Sequence, residues 1–167
     1  FVHNVDNPVY PLLASKERTL FKLFLCDVGL LTYKLYSGNQ ILILNGDSDL
    51  NYGAVYEAVV AQELKAHGFE LFYNNDKKRG EIDLLIEKDN KVIPLEVKSG
   101  KDYKRHSALA QLMANDAFHY SEGIVLCNGN VEVEGKTVYL PIYRIEFIQN
   151  TKNEGRKLVH LDISSLI

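Results

Sequence analysis

Two strand-like stretches of the sequence carry carboxylates and a lysine between their apolar residues, within GEIDLLIEKDNKVIPLEVKSGK. They are joined by Asp89-Asn90, whose residue types predict a two-residue hairpin turn. Counting back from that turn places Asp83 opposite Glu96 and Glu81 opposite Lys98. Because side chains alternate across a strand, we expect these four residues to share one face of the hairpin. The other face is expected to cover the core with apolar side chains: Ile82, Leu84, Ile86, Ile93, Leu95 and Val97.

The predicted pair of facing carboxylates favours a bound cation. Like charges directly opposite on neighbouring strands are destabilising, whereas Mg²⁺ prefers carboxylates together with water and phosphate oxygens. We therefore predict a Mg²⁺ or Mn²⁺ site with Asp83 and Glu96 as ligands. Lys98 is then placed to orient an attacking water or to stabilise charge on a breaking phosphodiester. The alternative is an ordinary solvent-facing strand surface with mixed charges.

A further acid, Glu57, falls on a predicted helix that begins near residue 51 and ends at Gly68. Gly53, Ala61 and Leu64 share its stripe at helical spacing, so this side of the helix is small and apolar. Glu57 is therefore expected to point inward, where a carboxylate needs a partner. A functional acid is one interpretation, and the alternative is a boundary glutamate held by a tyrosine or lysine.

Cationic residues flank the acidic motif on both sides, although the net charge of the chain is −3. A protein that binds nucleic acid by overall charge would be basic, so we expect only a local grip on phosphates. Ordinary solvated loops are the alternative for any single lysine. The expected partner is nucleic acid, and DNA is expected first. The sequence contains no base-reading motif that would decide between DNA and RNA. The predicted phosphate-binding residues are Lys77, Lys78, Arg79, Lys101, Lys104 and Arg105.

The composition is that of a globular protein, with 46% hydrophobic and 25% charged residues in 167. No apolar run approaches the length needed to cross a bilayer, and no signal peptide is evident. We therefore expect a cytoplasmic protein with two buried free thiols, Cys26 and Cys127, and no membrane partner. Phe1 is expected to begin a piece of a longer chain.

The predicted order of elements from residue 51 onward is α-β-β-β-α-β-β, which indicates an α/β fold with a mixed sheet. The second helix is expected near residues 104–118 and the last strand over 137–145. Residues 1–50 are predicted to form a separate lobe or brace, residues 51–149 the main domain, and residues 150–167 a C-terminal extension. Within the first part, residues 19–36 fit either a mostly buried helix or a strand followed by a helix with Asp27 as its N-cap.

Glu57, Asp83 in GEID and the run Glu96-Val97-Lys98 resemble the signature of the PD-(D/E)xK nucleases. GAVYE also resembles the G-x-x-x-E of their first helix. More narrowly, residues 21–145 resemble a C-terminal domain of unknown function found behind the ATPase module of prokaryotic AAA-type ATPases. The matching motifs are FKLFLCDVGLL, IPLEVKSGK and YLPIY.

The resemblance implies a restriction-endonuclease-like core (α-β-β-β-α-β) and metal-dependent hydrolysis of phosphodiesters. Glu57, Asp83, Glu96 and Lys98 would then be catalytic. Asp83, Glu96 and the Val97 carbonyl would hold the metal, and Glu57 would complete the site. Gln111 and Glu81 would be accessory polar residues. It also implies a partner ATPase module, since the sequence contains no G-x-x-x-x-G-K-[ST] of its own. A nuclease-like domain that binds nucleic acid or protein without cutting is the alternative, because fold alone does not determine function.

Overall fold

A computed structural model describes residues 1–36, Ile41, Asn45 and residues 52–150. The helices are α1 (Val28–Leu35), α2 (Gly53–Ala66) and α3 (Ser107–Met113), with 3-10 turns at Leu12–Ser15 and Ile142–Phe147. The strands are β1 (Val2–Val5), β2 (Lys16–Lys22), β3 (Phe72–Asp76), β4 (Gly80–Lys88), β5 (Lys91–Val97), β6 (Gly123–Cys127), β7 (Glu132–Glu134) and β8 (Thr137–Pro141).

All eight strands belong to one mixed sheet in the order β2-β1-β3-β4-β5-β6-β8-β7. The pairs β1–β3, β5–β6 and β6–β8 are parallel, while the pairs on both sides of β4 are antiparallel. The chain is therefore a mixed α/β protein. The predicted order α-β-β-β-α-β-β is observed from the first long helix onward, except that the short strand β7 precedes the last strand.

The helices α2 and α3 cover opposite faces of the sheet. Val60 and Leu64 of α2 pack with Leu95 of β5, whereas Leu109 of α3 packs with Val92 of the same strand. Alternate residues of a strand point to opposite faces, so one strand supplies both core layers. β4 and β5 are consequently buried on both sides over most of their length.

The hairpin between β4 and β5 has the predicted turn. Asp89 and Asn90 both have positive φ, at 51° and 61°, as a type I′ turn requires. The predicted register is confirmed from Lys88 opposite Lys91 as far as Leu84 opposite Leu95.

The prediction of which β4 residues share one apolar face is wrong at one residue, Ile82. Phe72 of β3 pairs with Leu85, but Asn74 pairs with Ile82, so β4 contains one more residue than β3 between these pairs. This β-bulge reverses the alternation of side chains. Ile82 therefore packs in the core layer of α3, while Leu84 and the other predicted residues pack in the layer of α2.

The N-terminal residues extend the same sheet. β1 pairs in parallel with β3, and β2 pairs with β1 at the edge of the described sheet. The boundary predicted at residue 50 falls outside the described residues, so the division into domains stays a prediction. Residues 19–36 adopt the second expected arrangement, a strand and then a helix capped by Asp27, whose Oδ1 accepts from the Leu30 N–H at 2.9 Å.

Three local expectations are corrected by the structure. Cys26 is exposed and not buried as expected, and it lies just before α1, in which no residue is buried. The second helix covers only Ser107–Met113, and the last strand ends at Pro141, where a 3-10 turn follows. Residues 151–167 lie outside the described part of the chain. None of the described helices is both long and apolar enough to span a bilayer.

Candidate functional site

The candidate site lies where β4 and β5 separate, beyond the Leu84–Leu95 pair. Here Asp83 Oδ2 accepts a hydrogen bond of 2.7 Å from the Val97 N–H. A backbone N–H of a strand points along the sheet toward the neighbouring strand. The Asp83 carboxylate therefore lies close to the plane of the sheet, in the gap between the two strands.

Glu96 and Lys98 approach this gap from the face of α3. Glu96 alternates on β5 with Leu95 and Val97, which pack in the layer of α2. Its side chain therefore leaves the sheet on the other face, where only 5% of the residue is exposed. Lys98 Nζ lies 2.6 Å from Glu96 Oε1, and the second carboxylate oxygen, Oε2, is buried without a hydrogen-bond partner.

Glu57 and Glu81 lie on the face of α2, and both contact a lysine from β2. Lys22 Nζ forms an ion pair with Glu81 and lies 3.8 Å from Glu57 Oε2. The ammonium also lies over the Tyr73 ring, 5.1 Å from its centroid. Asn75 Nδ2 donates to Glu81 Oε2 at 3.0 Å and orients that carboxylate.

The predicted catalytic residues are thus brought together, but around a gap and not on one flat face. The expectation that Glu81, Asp83, Glu96 and Lys98 share a face is wrong, because the bulge and the separation of the strands redirect the side chains. Asp83 stands between two groups: Glu96 with Lys98 on one side, and Glu57 with Glu81 on the other. This gap and the four carboxylates around it are called the acidic gap below.

Burial and mutual repulsion hold the carboxylates of the site closer to neutrality than usual. Burial and the Asp83 charge raise the pKa of Glu57, and burial raises the pKa of Asp83 despite the Val97 N–H. The pKa of Glu96 is raised to about 7, by burial first and by Asp83 second. Burial opposes the charge on Lys98, yet its hydrogen bond with Glu96 and the surrounding carboxylates raise its pKa. A cation would relieve this repulsion.

The carboxylates fit a divalent cation only after rearrangement. The described residues contain no group of three or more His, Cys, Asp or Glu side chains positioned to hold a metal ion. The unpartnered Glu96 Oε2 nevertheless provides a buried, desolvated oxygen ligand next to Asp83. A metal held by both carboxylates would lie beside the Lys98 ammonium, which contacts the other oxygen of Glu96. The Val97 N–H donates to Asp83. The Val97 carbonyl stays a predicted metal ligand.

The predicted phosphate-binding residues differ in whether their charged groups form ion pairs with other side chains. Lys77, Lys78, Lys101 and Arg105 are exposed. Lys104 Nζ is instead held by Glu132 at 2.9 Å and Glu134 at 2.6 Å. Arg79 is paired with Asp76 at 3.1 Å and lies over the Phe118 ring, so it has a structural role. The predicted accessory residue Gln111 is exposed on α3.

A sequence model of a domain of unknown function, DUF4143, matches residues 52–145, more than half of the chain. The chain belongs to the DUF4143 family. No curated protein and no solved structure is significantly similar to the chain. The DUF4143 segment contains Glu57, Asp83, Glu96 and Lys98. It begins at residue 52 and therefore does not include Lys22.

Lys22 is the site residue that sequence reasoning missed. It lies in the apolar run TLFKLFL, where a single lysine has no distinguishing neighbours. The only available signal was the strand-then-helix interpretation of residues 19–36, which gives no indication that this strand lies near β4. Only the order β2-β1-β3-β4 brings it into range.

Proposed function

We propose that this chain is a nuclease-like domain that hydrolyses phosphodiesters of nucleic acid with Mg²⁺ or Mn²⁺. The observation that carries the proposal is the convergence of Asp83, Glu96 and Lys98 at the open end of a buried hairpin. Structural ion pairs are usually exposed and need no such burial, whereas desolvated acids with shifted pKa values are typical of functional sites. A restriction-endonuclease-like core of the PD-(D/E)xK type is part of this proposal.

Each residue has a role that follows from its surroundings. Asp83 and Glu96 would hold the metal, because Asp83 is fixed by the Val97 N–H and Glu96 has a free buried oxygen. When bound, the metal would neutralise charge on the phosphate and make a water more acidic. Lys98, next to both acids, would hold that water or the phosphate oxygens by hydrogen bonds. Glu57 would complete the metal site from the α2 side.

An ATPase partner belongs to the same proposal. The support is the likeness of FKLFLCDVGLL, IPLEVKSGK and YLPIY to the domain that follows AAA-type ATPase modules. In such an arrangement the ATPase would deliver nucleic acid to the exposed cations beside the acidic gap. The proposed location of the complex is the cytoplasm.

A cleavage assay with Asp83→Asn as control tests the proposal. Asparagine keeps an oxygen that can accept from the Val97 N–H, so the fold should persist while the metal loses a charged ligand. We expect Mn²⁺-dependent cleavage of at least one DNA or RNA substrate by the original chain, abolished by chelation and by Asp83→Asn. Cleavage that survives this substitution would contradict the assigned site.

A second candidate function is a nuclease-like domain that binds a partner or nucleic acid without cutting. The ion pairs Lys98–Glu96 and Lys22–Glu81 favour it, because they already neutralise part of the acidic gap without metal. Under this hypothesis the chain would bind nucleic acid but would not cleave it with any added metal.

Both cleavage and binding of nucleic acid require the exposed cations to contact phosphates. Replacing Lys77 and Lys78 together by alanine should make the dependence of log affinity on log salt shallower by about 0.9 per lost duplex phosphate contact. Lys104→Ala should change it little, since Glu132 and Glu134 already hold that ammonium. Fluorescence anisotropy of labelled duplex DNA over a salt series measures both. If Lys104→Ala made the salt dependence shallower by the same amount, the phosphate contacts would not be specific to Lys77 and Lys78.

A further inference from the structure

Lys22 contacts Glu57 and Glu81 on the α2 side of the acidic gap, although it comes from an edge strand outside the DUF4143 segment. Antiparallel pairing with Val2 directs its side chain to the face of α2. The Tyr73 ring supports the ammonium from one side, and Glu81 and Glu57 receive it on the other. Its side chain is only 21% exposed, so these contacts replace most of its hydration.

We propose that Lys22 is an internal counter-ion that competes with the divalent metal for the acidic gap. The proposal rests on the proposed metal site and adds a residue that sets its metal affinity. The ammonium stabilises the anionic forms of both Glu57 and Asp83, which identifies it as a shared electrostatic partner of the two acids. A divalent ion beside Asp83 would meet this positive charge at short range.

The electrostatic consequence has a definite sign. Repulsion between a bound metal and a nearby ammonium weakens metal binding, and it is stronger in a partly buried site than in water. The metal affinity of the original chain is therefore held below what its carboxylates alone would give. Movement of β2, or contact of Lys22 with a phosphate of bound nucleic acid, would release the gap to the metal.

Neutral substitutions of Lys22 test the inference by calorimetric titration with Mn²⁺ at a pH of about 8, which favours the ionised carboxylates. We expect Lys22→Met and Lys22→Gln to bind Mn²⁺ about tenfold more tightly than the original chain at low salt. The gain should shrink as salt is raised. Lys22→Arg keeps the charge and should keep the original affinity, and Lys16→Met at the other end of β2 is the matched control.

A purely structural role predicts a different pattern. Lys22→Met would then lower the melting temperature without tightening Mn²⁺ binding, and that result would overturn the inference while leaving the metal site intact. Binding that appears only in the two neutral variants would support the inference in its strongest form. If neither the original chain nor any variant binds Mn²⁺, the proposed metal-dependent function fails together with the inference.

Discussion

Replacing Lys98 by alanine is expected to lower the rate of metal-dependent cleavage about a hundred- to a thousand-fold, the usual cost of losing one preorganised electrostatic contact. Lys98 Nζ contacts Glu96 and is surrounded by the charges of Asp83 and Glu57, so it faces the place where the phosphate would react. Single-turnover cleavage rates, measured with saturating Mn²⁺, separate this loss from weaker binding.

The fold should tolerate the change, because Lys98 follows the last residue of β5 and is about one-third exposed, at 31% of its side chain. Lys91→Ala is the matched control, since it removes an exposed lysine at the other end of the same strand. We expect the control to cleave at the original rate. An unchanged rate in Lys98→Ala would remove Lys98 from the proposed chemistry, even if the metal site stands.

The free energy of unfolding should fall as the pH rises from about 4.5 to about 7, in the absence of metal, because of Glu96. The pKa of this carboxyl is about 7 in the fold and near 4.5 in the unfolded chain, so the folded state holds a proton that the unfolded state has lost. The stabilisation is complete below the lower value and is lost as the pH passes the higher one. The loss is of the order of 3 kcal/mol.

Glu96→Gln is the control for this pH dependence, because glutamine keeps the shape and cannot ionise. Urea unfolding over a pH series should show most of the slope removed, with a remainder in the same direction from Glu57 and Asp83, whose pKa values are also raised. Above a pH of about 7 the variant should be more stable than the original chain. Parallel pH profiles for both proteins would show that Glu96 is not the titrating group.

The parts of the fold that local sequence determines were predictable. Asp89-Asn90 specifies a turn with two positive φ values, and this turn alone fixes the register from Lys88–Lys91 to Leu84–Leu95. Gly68 likewise ends α2 with a φ of 83°. The resemblance of their motifs to a nuclease signature also predicted Glu57, Asp83, Glu96 and Lys98 as one group, and the structure brings them together.

The features that depend on distant pairing were not predictable. The bulge that turns Ile82 to the face of α3 arises where β4 pairs with β3, and no residue type in GEID marks it. The apolar residues 19–36 allowed a mostly buried helix as one alternative, yet Leu30, Tyr33 and Leu35 are exposed. Lys22 enters the site only because β2 and β1 join the sheet beside β3, which is a property of the topology.

Calorimetric titration of the original chain with Mn²⁺, next to Asp83→Asn and Glu96→Gln, tests the central claim most directly. A metal that needs both carboxylates should bind the original chain and bind each variant far more weakly. It should also bind the original chain more tightly as the pH rises through about 7, since Glu96 must lose its proton first. Mn²⁺ binding of equal strength in all three proteins, or none in the original chain, would contradict the metal site at Asp83 and Glu96.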